Sequence, residues 1–97
     1  MLRTTIERRL NDAHRRLMRA RGELAVLEEQ LEVVNEMADD TRIRALVAET
    51  PVAAKEHDDV SRQASAMLRS RKVLIDRITE LEHRQDDLLE RLVAGPG

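Results

Sequence analysis

Ten residues in the first third of the chain fall in an unbroken 4, 3 alternation: Ile6, Leu10, Ala13, Leu17, Ala20, Leu24, Leu27, Leu31, Val34 and Ala38. An α-helix turns once in 3.6 residues, so an apolar step averaging 3.5 keeps a single narrow stripe on one side. Such a stripe is the seam of a coiled coil, and it requires a partner helix to bury it. The first helix is therefore expected over residues 2–38, roughly 55 Å at a rise of ~1.5 Å per residue. Gly22 falls on the outward side of that helix, where it weakens propensity by about 1 kcal/mol without touching the seam.

The same alternation returns in the second half: Ala53, His57, Val60, Ala64, Met67, Arg71, Leu74, Ile78, Leu81, Gln85, Leu88 and Leu92. A second long helix is expected over residues 51–93. Thr50-Pro51 supplies its start, an N-cap followed by proline at the first helical position. Residues 94–97 read as a frayed tail, with Gly95-Pro96-Gly97 as the stop. Between the long helices, Asn35–Thr41 is rich in capping and turn residues. Asp39 or Asp40 can cap a separate short helix over 41–49, with Ile43, Leu46 and Val47 on one face.

Charge sets the direction of pairing. Residues 1–21 hold seven arginines and two acids, whereas residues 22–40 hold seven acids and no base. In the second helix the early part is basic (Arg62, Arg69, Arg71, Lys72) and the later part mainly acidic. Folding the chain back places opposite signs side by side along both flanks. Each exposed pair contributes only ~0–1 kcal/mol, but their sum and the repulsion in the other orientation select the antiparallel arrangement. The expected fold is all-α: a single-domain antiparallel two-helix coiled-coil hairpin with a short helix at the tip.

A hairpin has one seam and little buried area. Packed cores below about 70–80 residues seldom suffice alone, and this chain has no aromatic residue to enlarge its core. A second apolar row, Leu68, Ile75 and Leu89, runs beside the seam of the second helix. A second copy would cover it by forming a four-helix-bundle homodimer, and a helix from another protein would cover it equally well. Met67, Leu68, Ile75 and Leu89, with Ile43, Leu46 and Val47 as a tip patch, are the candidate partner-binding residues.

Other chemistries find less in the sequence. No cysteine is present, no serine sits in a Gly-x-Ser-x-Gly turn, and the three glycines form no phosphate loop. An enzyme is not expected, nor is a cofactor. The histidines His14, His57 and His83 lack the spacing of a helical metal site. Arg71 lies in the seam, where a polar residue fixes register; it could alternatively fork an anion, giving a nucleotide- or anion-binding bundle. The net charge of −2 and the absence of stacking aromatics argue against nucleic acid as a partner. No apolar run approaches the ~20 residues that span a bilayer. The start, MLRTTIERRL, lacks the apolar core of a secretory signal, so a soluble cytoplasmic protein is expected.

The architecture also resembles that of three families. Length and hairpin resemble the WXG100 proteins, although no Trp-x-Gly stands at the turn. Asp39, Asp40, Asp58 and Asp59 near the tip resemble the acidic coiled-coil arm of Gre transcript-cleavage factors, although residues 41–50 interrupt that tip. The size and arginine-rich style resemble the small hairpin anti-sigma factors of GC-rich Gram-positive bacteria. The latter two resemblances imply a transcription-accessory role on RNA polymerase or a sigma factor, as the alternative to a general interaction module.

Overall fold

A computed structural model describes residues 2–95, of which all but Leu2, Glu49, Thr50 and Gly95 lie in two helices. α1 spans Arg3–Ala48 and α2 spans Pro51–Ala94. They pack against each other as a helical hairpin. The chain divides into two compact units, Met1–Leu24 with Val73–Gly97, and Ala25–Lys72. Each unit takes one segment from each helix.

The unit Ala25–Lys72 contains the chain reversal. α1 ends as Glu49 swings into the left-handed region at φ 51°, while its N–H still donates to the Ala45 carbonyl at 3.1 Å. Thr50 then caps α2: its Oγ1 accepts from the Ala53 N–H at 3.2 Å, and its carbonyl accepts from Ala54 N–H at 3.1 Å. Pro51 follows at the first helical position, where its missing N–H costs nothing. Two residues therefore reverse the chain, and the Thr50-Pro51 start stands as read from the sequence. Ion pairs fix the direction: Glu28 meets Arg71 at 3.2 Å and Arg44 meets Glu56 at 3.9 Å, so the segments run antiparallel. Val34, Val60 and Ala64 form the core here, with Ala38 and Met67 packed against them.

The unit built from Met1–Leu24 and Val73–Gly97 repeats the pattern. Ile6, Ala13, Leu17, Ala20 and Leu88 are its buried apolar residues. Arg21 pairs with Glu82 at 3.4 Å, and Glu23 with Arg77 at 3.9 Å, again antiparallel. α2 stops at Gly95, whose φ of 79° is the usual glycine exit from a helix. Its N–H donates to the Leu92 carbonyl at 3.3 Å. Of the expected tail, Ala94 is still helical, and Pro96 and Gly97 lie outside the described residues.

The expected break near residue 40 is absent, and with it the separate short helix over 41–49. α1 continues without interruption to Ala48. The reason is Thr41, which is 3% exposed and extends the 4, 3 alternation from Ala38 to Thr41 to Ala45. Its Oγ1 lies 2.8 Å from the Met37 carbonyl, 3.1 Å from the Ala38 carbonyl and 3.2 Å from Nδ1 of His57. A hydroxyl has one proton to give. With that proton directed at the preceding turn, the oxygen accepts from the imidazole N–H across the seam. Asn35, Glu36, Asp39 and Asp40 simply point outward. Their turn propensity, a few tenths of a kcal/mol each, loses to a continuous seam.

No large side chain among the described residues is buried completely; Leu17 and Leu88 come nearest, at 2% and 4% exposed. None of the described helices is long and apolar enough to cross a membrane.

Candidate interaction surface

The seam positions of both helices are buried or half-buried, including the polar His57, Arg71 and Gln85. The candidate partner-binding residues divide into three settings. Ile43, Leu46 and Val47 sit on the outward side of the last turns of α1, at 52%, 67% and 80% exposure. Val52, in the first turn of α2, is 78% exposed and was not picked out by the sequence pattern. Its signal was position alone: an apolar residue one place before the seam residue Ala53. These four crowd within about two turns of the chain reversal. Leu68, in the same unit, and Leu89, in the other, are exposed, whereas Ile75 is half-buried. Met67 is different. It is half-buried and packs against the Val34, Val60 and Ala64 core at the seam.

The polar candidates are largely occupied. Arg71 donates from Nε to Glu28 Oε1 at 3.2 Å, so its fork already holds a carboxylate of this chain. Asp58 is tied to Arg62 at 2.9 Å and Asp59 to Lys55 at 3.0 Å, each one turn along α2. Asp39 and Asp40 are exposed on α1. Among the described residues, no three His, Cys, Asp or Glu side chains come together in a way that could hold a metal ion.

Sign-matching across the hairpin holds for Arg21–Glu82, Glu23–Arg77, Glu28–Arg71 and Arg44–Glu56. One place breaks the rule. In the unit built from Met1–Leu24 and Val73–Gly97, a groove of about 400 Å³ is floored by Ala20 and Leu81 and flanked by Arg16, Arg19, Arg77 and Arg84. Glu23 and Glu80 are the acids on its rim. Counting net charge by segment concealed it, since the segment 76–92 is acidic overall while Arg77 and Arg84 lie on the flank facing α1.

Comparison with known proteins adds no relative: no protein-family model, characterised protein or solved structure matches this chain significantly.

Proposed function

We propose that this protein is a non-enzymatic interaction module: a helical hairpin that pairs with a second copy of itself and presents its tip to a partner protein. The observation that carries this reading is the set of exposed apolar side chains in places a solvated helix does not need them. Leu68 on α2 and Ile43, Leu46, Val47 and Val52 around the reversal are all more than half exposed. The accessible surface supports it. The chain exposes 7277 Å², whereas a compact monomer of 11.1 kDa exposes about 5,700 Å². The surplus of about 1,600 Å² is roughly twice the ~800 Å² that each partner buries in a standard protein–protein interface. A second copy laid against Leu68, Ile75 and Leu89 makes a four-helix bundle, in which core side chains gain neighbours on a further side. The tip patch stays open in that arrangement for a helix of a partner protein. We place this function in the cytoplasm.

Replacing Leu68 and Leu89 with glutamate tests the pairing. Size-exclusion chromatography with light scattering should show the variant at half the mass of the parent, with helicity retained at concentrations where the monomer is folded. An unchanged mass would refute the Leu68 face as the contact.

A second reading, docking on RNA polymerase or a sigma factor, draws on Asp39 and Asp40, acids exposed near the tip. Under it, Asp40→Asn abolishes binding to transcription machinery and leaves self-association untouched; equal binding by parent and variant would exclude it.

A further inference from the structure

We propose that the arginine groove receives the acidic outer row of α1 from a second copy of this chain. The inference rests on the self-association proposed above and assigns it a further contact on the other flank of the hairpin, since on α2 Arg77 and Arg84 stand across the seam from Ile75 and Leu89. Arg16 is held by Asp12 at 3.2 Å and Arg77 by Glu23 at 3.9 Å. Among the described residues, Arg19 and Arg84 are joined to no carboxylate. They flank the groove from opposite helices, with the apolar floor of Ala20 and Leu81 between them. A guanidinium presents a planar fork of donors suited to a carboxylate. Two forks on either side of an apolar floor fit a helix that carries carboxylates along one row.

This chain carries such a row. Glu29, Glu32, Glu36 and Asp39 follow one another at intervals of 3, 4 and 3, so they line one side of α1. All four are exposed. Among the described residues none is paired with a base. A surplus of cations in one unit and a surplus of anions in the other answer each other in sign and in helical spacing. Within one chain the carboxylates of this row point away from the seam. A second molecule supplies the meeting.

Complementary charge reversal tests it on the full-length chain. One variant carries Arg19→Glu and Arg84→Glu; the other carries Glu32→Arg and Glu36→Arg. Circular dichroism first confirms that both remain helical, as substitutions at exposed positions allow. By analytical ultracentrifugation, each variant alone should self-associate about tenfold more weakly than the parent, the scale expected for losing two charge-assisted contacts. An equimolar mixture should recover affinity to within about threefold of the parent, because the reversed charges meet across the interface. If the parent self-associates and neither variant weakens it, or the mixture fails to recover, the groove is not the contact, while the Leu68 pairing stands. If the parent is a monomer throughout, self-association and this inference fall together. A parallel titration with pyrophosphate covers the other occupant: saturable binding to a monomeric parent, lost in Arg19→Glu with Arg84→Glu, would make the groove a small-anion site and overturn the proposal.

Discussion

Single residues decide where the two helices begin, end and continue. Gly22 lies in the middle of α1, and a methyl group added there meets nothing within 4 Å. Gly22→Ala should therefore raise stability by about 1 kcal/mol, through lower backbone entropy in the unfolded chain. A higher thermal midpoint checks it; an unchanged or lower one would mean that this face of α1 is covered. Glu49 holds a left-handed backbone at φ 51°, a conformation glycine adopts without steric cost. Glu49→Gly should stabilise the hairpin by about 0.5–1 kcal/mol in urea denaturation. Thr41 works the other way. Thr41→Ala keeps the helix but leaves His57 Nδ1 half-buried without its hydroxyl partner, and a loss of about 1 kcal/mol is expected from the same measurement.

At the level of elements, the seam was legible because burial follows a simple period. Every position that the 4, 3 step assigned to it in α1 and α2 is buried or half-buried. Thr50-Pro51 was legible because cap and proline chemistry is local. The uninterrupted run through residue 40 was not. Local propensity at Asn35–Thr41 favours a turn, and the continued seam, in which Thr41 is buried and meets His57, outweighs it. The step itself held the answer, since Ala38, Thr41 and Ala45 continue it with small residues. The arginine groove was hidden for a related reason: it depends on which flank Arg84 occupies, which a count along the chain does not report. The seam also predicts an unequal response to truncation. Leu17, at 2% exposure, should cost about 2–4 kcal/mol on replacement by alanine. Leu89, at 44% exposure, should cost well under about 1 kcal/mol in the monomer. Comparable losses in urea melts run below the association concentration would contradict the assignment of Leu17 to the seam and Leu89 to an outer face.

For the whole molecule, one seam between two helices leaves even its innermost side chains slightly wet and leaves leucine, isoleucine and valine in water. Surface ion pairs cannot compensate: Arg21–Glu82, Arg44–Glu56, Glu28–Arg71 and Glu23–Arg77 join side chains roughly 40–60% exposed, where each contributes ~0–1 kcal/mol. Stability then belongs to the assembly, and folding should strengthen with protein concentration. Sedimentation equilibrium over a wide concentration range tests that most directly. The mass should rise from 11.1 kDa to twice that value, with the thermal midpoint climbing in step. A mass fixed at 11.1 kDa up to millimolar concentration, with a constant midpoint, would contradict it.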